Sequence, residues 1–401
     1  MAQNPANVFV DPDSASVNVA FGSNAALREK TLSQGTVGQS FAIDYKGKLT
    51  DPAIYVIQCK NKSTDTGAEK GDLVITKLDA AGNRIGTGMH LVHDHYTSIY
   101  QASADPLRYY EGVNKDDRSW GFGHGSQIAI EYAPDGTYLW CDNVSEVLDK
   151  TKTPKDNLYD VAGDDLARFQ YRDGTFHAWE VDGYGWTMKH EVLASVPGVD
   201  ADRCTNFSIS FDNHYKRAAV RYKDNLLGGQ YRVSIFSYTY NADNIPVFQH
   251  LNTFDAAAVP WYSVVNGTPS KTLKDLPAQG FTLFGNFIYF NFGSAYNHDE
   301  HYSPQSYSEG DTYPDDKPIT NVGNHHVVQY NWSTGTKVDY NISEAGRTLS
   351  YREPEGMQMI PTTDANGNVI KLQLCFGYAS GTTGDRKWSL YAKERTGIPT
   401  T

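Results

Sequence analysis

Cysteine is scarce and scattered. The four present, Cys59, Cys141, Cys204 and Cys375, form no CxxC pair. That excludes a zinc ribbon, a thioredoxin-type redox motif and a dense disulfide framework. Their neighbours Ile57, Trp140 and Leu374 put three of them in or beside predicted strands, as small buried hydrophobes made in a reducing compartment. Long apolar runs are missing too. Mean hydropathy is -0.53, and no stretch approaches the ~20 apolar residues of a membrane helix. Residues 1–13 carry neither the charged nor the apolar region of a secretory signal. Net positive charge is absent: 35 Lys and Arg against 47 Asp and Glu leave -12. Such a balance opposes whole-surface binding to nucleic acid or anionic membrane. There is no phosphate-binding glycine loop, nucleophile elbow or dinucleotide fingerprint. The one glycine-rich run, GFGHG at 121–125, opens a strand pattern rather than a helix.

What the chain does have is aromatic residues, 27 Tyr, 17 Phe and 7 Trp, in short runs separated by turn residues. Ile128-Ala129-Ile130 and Thr137-Tyr138-Leu139-Trp140 flank Ala133-Pro134-Asp135-Gly136. Pro pre-sets φ and Gly accepts a positive φ, so this reads as a β-hairpin. Similar units recur with first strands at Gln39, Ser126, Thr205, Gln279 and Glu355. Four such units supply four strands each: QSFAID, AIYVIQ, DLVITKLD and RIGTGMHL in the first, and SQIAIE, TYLWCD, DLARFQYRD and TFHAWEV in the second. The last unit runs out after three, and Leu27–Leu32 supplies its missing outer strand. The expected fold is all-β, a five-bladed β-propeller of four-stranded antiparallel blades closed by an N-terminal strand, with two β-sandwiches as the alternative. Residues 1–25 read as an arm or attachment segment, 26–395 as the propeller and 396–401 as a tail.

Loop lengths pick out a face. Turns joining the first to the second strand of a blade, and the third to the fourth, are short. The long segments are Val92–Trp120, Asn143–Gly163, Asp182–Arg203, Asp255–Asp275 and Ser294–Asn324. All of these are connections that emerge on one side, where a rigid scaffold carries its binding loops. They hold Tyr96, Tyr100, Arg108, Tyr109, Tyr110, Trp120, Trp186, Trp261, Tyr302 and Tyr307. Flat rings beside polar groups suit stacking on a saccharide, and Arg108, Lys115, Arg118 and Lys189 suit phosphates. Gln39, His124, Ser126, Gln279 and Glu355 are expected to line the central channel. His93-Asp94-His95, His298-Asp299-Glu300-His301 and His325-His326 lack the helical spacing of a catalytic zinc site. They read as solvated loop residues, and no metal or cofactor is expected. For glycan hydrolysis a propeller needs paired carboxylates. Asp44, Glu131 and Asp212 fall at one end of their strands and Glu355 at the other, which argues against an enzyme.

Six runs carry a resemblance. In order they are QSFAID, GDLVITKLDAAGNRIG, GFGHGSQIAIEY with YLWCD, QGFTLFGNFIY, YREPEGMQM and LCFGYASGTTGDRKWSLYAK, spanning about Leu27 to Lys393. They resemble the β-propeller shared by phage receptor-binding proteins and teichoic acid biosynthesis protein C-like proteins. The resemblance implies a virion protein of a phage tail or tail-like particle, acting outside the cell after synthesis in the bacterial cytoplasm. Its partners would be teichoic acid or wall polysaccharide of a Gram-positive host and other tail or baseplate proteins held through the N-terminal arm. Members of the tail type are typically trimers. Here Val92–Trp120 intervenes where the family runs almost directly from GMHL into GFGHG, and the arm is shorter than a trimeric stem. A glycan hydrolase and a host-encoded lectin or scaffold are the alternative readings.

Overall fold

The computed structural model describes residues 27–46, 52–59, 73–92, 119–121, 125–146, 165–174, 176–178, 189–224, 227–256, 259, 264–265, 268–269, 278–293, 325–342, 345–346 and 349–396. Strand β1 (Leu27–Thr31) precedes blade one, which holds β2 (Gly38–Asp44), β3 (Ala53–Cys59), β4 (Leu73–Leu78) and β5 (Arg84–Val92). Blade two holds β6 (Ser119–Gly121), β7 (Ile128–Ala133), β8 (Gly136–Glu146) and β9 (Asp165–Phe169), followed by β10 (Phe176–Ala178) and the short helix α1 (Lys189–Leu193). Blade three is β11 (Cys204–Asp212), β12 (Arg217–Asp224), β13 (Gln230–Tyr240) and β14 (Pro246–Asp255). A two-stranded ribbon, β15 (Val264–Val265) and β16 (Thr268–Pro269), leads to blade four: β17 (Ala278–Phe284), β18 (Phe287–Phe292), β19 (His326–Asn331) and β20 (Thr336–Ile342). Blade five is β21 (Glu353–Thr363), β22 (Val369–Ser380) and β23 (Lys387–Thr396).

The innermost strands β2, β7, β11, β17 and β21 each lie against the next, and β21 returns to β2. This is a five-bladed β-propeller. β1 pairs antiparallel with β23, matching Leu27 to Leu390 and Thr31 to Lys387, so blade five takes its outer strand from the start of the chain, as expected. Among the described residues the core comprises five apolar clusters, one between each pair of neighbouring blades. Side chains of a strand point alternately to its two faces. In β3, Ile54 and Val56 therefore enter the cluster shared with blade five, while Tyr55 and Ile57 enter the one shared with blade two. Burial on both faces explains why the strands read as continuous apolar runs rather than as strict alternation.

His325 and His326, read as solvated loop residues, are 0% and 1% exposed, packed where the chain enters β19, and two expectations about elements also fail. Thr175–Val181 reads as the outer strand of blade two, yet its described part, β10, pairs in parallel with β5 of blade one, Phe176 opposite His90. The cause is local. The Asp173 carboxylate accepts the backbone N–H groups of Thr87 (3.0 Å) and Gly88 (2.8 Å), and Gly174 N–H donates to Gly88 O at 2.9 Å. These bonds pin the chain leaving β9 to the otherwise free edge of β5. Secondly, the segment Asp182–Arg203, read as an irregular loop, contains α1. It buries Val192 and Leu193, with Val196 beyond it, in the cluster between blades two and three.

Candidate functional site: the axial mouth

Innermost strands are sheet edges, and an edge leaves backbone groups to be satisfied. Here the neighbouring blade satisfies them with side chains. Ser210 Oγ accepts Leu283 N–H (3.2 Å) and Thr282 Oγ1 accepts Met359 N–H (3.0 Å). Gln358 accepts Ile43 N–H at 2.6 Å and donates to Ile43 O at 3.1 Å. Ser210, Thr282 and Gln358 hold the same position of their strands. Blades one and two have Ala42 and Ala129 there, and their contacts use other residues: Ser40 Oγ accepts Ile128 N–H at 3.2 Å, and Asn213 brackets Tyr132 N–H and Ile130 O, each at 2.9 Å.

Near its beginning, each inner strand is interrupted. Bulges put Gln39 opposite the step from Gln58 to Ile57, Asn206 and Phe207 opposite Tyr222, Gln279 opposite the step from Phe292 to Asn291, and Glu355 with Gly356 opposite Gly377. In blade two Gly121 pairs with Val144 and Ile128 with Cys141, so the register of the inner edge against β8 shifts between these pairs. A bulge re-aims a side chain and ends regular pairing, often beside a functional site. The interruption sits at the strand ends served by the long segments. Positive φ at Gly356 (78°) and Gly280 (137°) suits only glycine. Opposite the bulge, a Cβ on Gly377 would lie 2.3 Å from Glu355 O. The glycines of YREPEGM and LCFGYAS are thereby explained.

The mouth is polar and acidic. Glu355 is 4% exposed, and burial, reinforced by Glu353, holds its carboxyl well above the usual carboxylate range, with Arg386 pulling the other way. Glu353 is raised by burial in the same manner. Burial, then the charges of Asp142 and Glu355, push the half-buried Cys59 thiol up to about 12, so it is no nucleophile. Gln127 Nε2 donates to Phe281 O at 3.2 Å. Blades two and four are not neighbours, so this bond crosses the axis. Asn291 Nδ2 donates to Gly356 O at 3.2 Å, and Gln279 Nε2 to Gly293 O at 2.9 Å.

At the opposite end the carboxylates are committed. Glu131, fully buried, accepts Arg168 Nε (2.8 Å) and Nη2 (3.0 Å) and Trp140 Nε1 (2.6 Å). Asp212 accepts the N–H groups of Gly285 (2.7 Å), His214 (3.0 Å) and Tyr215 (3.1 Å). Asp44 accepts Lys46 N–H at 3.1 Å.

No protein-family model matches the sequence, and no curated protein does. Solved structures do. The tail fiber of Staphylococcus aureus phage P68 is 14% identical with a TM-score of 0.48, over 92% of this chain and 52% of the fiber. The chain thus spans about half of that protein. A glycosyl hydrolase from Bacteroides ovatus is 9% identical with a TM-score of 0.35, over 97% of this chain and 91% of that one. A Bacillus megaterium levansucrase mutant is 11% identical with a TM-score of 0.36, over 99% and 91%.

Of the expected channel residues, Gln39, Gln279 and Glu355 fall at three bulges, Ser126 is exposed in the excursion of blade two, and His124 lies outside the described residues. Of the expected receptor contacts, Tyr96, Tyr100, Arg108, Tyr109, Tyr110, Trp186, Trp261, Tyr302 and Tyr307 also lie outside them. Trp120 belongs to strand β6, paired with Ser145, rather than to a free loop. Gln127 and Asn291 were missed by sequence reasoning, because nothing in an isolated amide shows that it crosses an axis.

Proposed function

We propose that this chain is the receptor-binding protein of a phage tail or tail-like particle, attaching it to a glycopolymer, teichoic acid or wall polysaccharide, on a Gram-positive cell. The observation that carries the reading is the interruption of all five inner strands at one level, on the side of the long segments. It gathers amide and carboxyl groups at one mouth, the chemistry that hydrogen-bonds sugar hydroxyls. The commitment of Glu131 and Asp212 to structural bonds supports binding without turnover. So does the resemblance of GFGHG and YREPEGM to the adhesin family. Residues 1–25 would attach the chain to other tail proteins.

One observation favours a second reading, a glycan hydrolase. Glu353 stands two residues before Glu355 on the same strand, and both are held above the usual range, as a general acid requires. Purified wall polysaccharide separates the two. Saturable stoichiometric binding without new reducing ends or released phosphate is the expected result; catalytic turnover would overturn it.

A further inference from the structure

Two arginines of the inner blades hold carboxylates: Arg168 takes Glu131 at 2.8 Å and Arg232 takes Asp224 at 3.3 Å. Arg221 does not. Among the described residues it forms no ion pair, and its interactions are all with Tyr231. The side chain is half-buried. A charge drawn out of water without a counter-charge is costly. Burial accordingly pulls this guanidinium below the usual arginine range, with Tyr231 pulling the other way.

The strands put this cation at the mouth. Arg221 pairs with Ser208, directly beyond the bulge that sets Asn206 and Phe207 opposite Tyr222. Faces alternate along β12: Val220 and Tyr222 enter the cluster shared with blade two, and Ala219 the one shared with blade four. Arg221 is on the Ala219 side and nearer the mouth, so a cation ends the apolar cluster between blades three and four. Its guanidinium carbon lies 3.8 Å from the centre of the Tyr231 ring, over the face. Tyr231 is held in turn, its hydroxyl accepting Asn206 Nδ2 at 2.8 Å. Asn206 takes a left-handed φ of 57° at the bulge, a conformation uncommon outside glycine. The bulge thus fixes the tyrosine, and the tyrosine fixes the guanidinium.

We propose that Arg221 is the oxyanion-reading residue of the mouth, taking a phosphate or carboxylate group of the ligand on its guanidinium fork, with Tyr231 and Asn206 as positioning residues. On the reading of the mouth as a binding site, the ligand is then charged rather than neutral. A guanidinium presents its N–H donors in one plane and pairs with an oxyanion two bonds at a time. Glu353 and Glu355 belong to blade five, two blades from Arg221. An anionic group entering the mouth is repelled on that side and drawn to blade three.

The test uses the full chain. Thermal unfolding is followed while sodium phosphate or sodium acetate is added, against sodium chloride at matched ionic strength. The expected result is a saturable rise in Tm above that in chloride; the anion that gives it tells phosphate from carboxylate. Arg221→Met keeps an unbranched apolar stem over the ring. It should unfold in chloride at the parent's temperature or higher, since an unpaired charge is gone, and bind the anion roughly tenfold or more weakly. Arg221→Lys keeps the charge without the fork and should recover only part of that affinity. No saturable response in the parent overturns the proposal, and so does an unchanged anion affinity in Arg221→Met. Purified wall polymer is tested alongside. An Arg221-dependent anion response in a protein that binds no wall polymer would leave the oxyanion site standing and remove the glycopolymer reading.

Discussion

Glu131 and Arg168 show how a single residue can be legible in kind and illegible in role. An acidic residue at the end of an inner strand has the look of a catalytic carboxylate. Its partner sits on β9, 37 positions later, and no local pattern announces the pairing. Inside the structure the carboxylate holds a two-pronged guanidinium that also lies 3.4 Å over the Tyr138 ring and donates to Asn244 O at 2.9 Å. Removing one partner strands the other charge without water. Glu131→Ala should therefore cost about 3–5 kcal/mol, read from urea unfolding. Pairing it with Arg168→Met should recover part of that loss. Equal destabilisation in the double variant would show that the cost is packing rather than an unpaired charge.

Glu355 gives a pH prediction. Its folded carboxyl titrates above the ordinary range, so between the ordinary carboxylate pKa and the raised one the native state binds more protons than the unfolded chain. Stability then falls as pH rises through that window. Glu355→Gln should flatten this part of the pH–stability curve, match the parent at acid pH and exceed it at neutral pH. A variant curve parallel to the parent's would refute the assignment.

At the scale of the element, strands and hairpins were readable because turn chemistry is local. Asp79 accepts Ala81 and Asn83 N–H (2.9 and 2.8 Å), and Asp364 accepts Asn366 and Asn368 N–H (2.9 and 2.8 Å). Those bonds are written in the five-residue runs DAAGN and DANGN. The bulges are not written anywhere comparable. An extra residue in a strand becomes visible only against its partner, and the partner is itself an inference. The same blindness misassigned Thr175–Val181, since the pull of Asp173 on β5 acts across 85 positions.

Blade contacts can be tested one at a time. Thr282→Val keeps shape but removes the acceptor for Met359 N–H, and should cost about 1–3 kcal/mol. A change within error would mean that this N–H finds another acceptor. The segment before GFGHG needs similar care. Because Ser119–Gly121 pair with β8, a deletion testing adhesion should remove residues 93–118 and stop there. Loss of adsorption to cells with unfolding cooperativity intact is expected; unchanged adsorption would take this segment out of the binding site.

For the whole molecule, the five-part repeat and the joining of the two chain ends were both present in strand spacing. Leu27, 1% exposed, anchors that join in the cluster between blades five and one. Leu27→Ala should cost about 2–5 kcal/mol, and Leu27→Asp should leave β23 uncovered and promote self-association, read by light scattering. A monomeric Leu27→Asp protein of near-parental stability would show that β1 is dispensable to the ring.

β1 also leaves the ribosome before every blade it helps to close, and its partner β23 is made after all of them. Leu27 meets Leu390, so β1 waits while the intervening four blades are made. The slow step of refolding should then be the meeting of distant segments rather than the growth of hairpins. Joining the two ends of that sheet covalently and reopening the chain at a short turn, such as the one between β12 and β13, should speed ring closure without altering the finished structure.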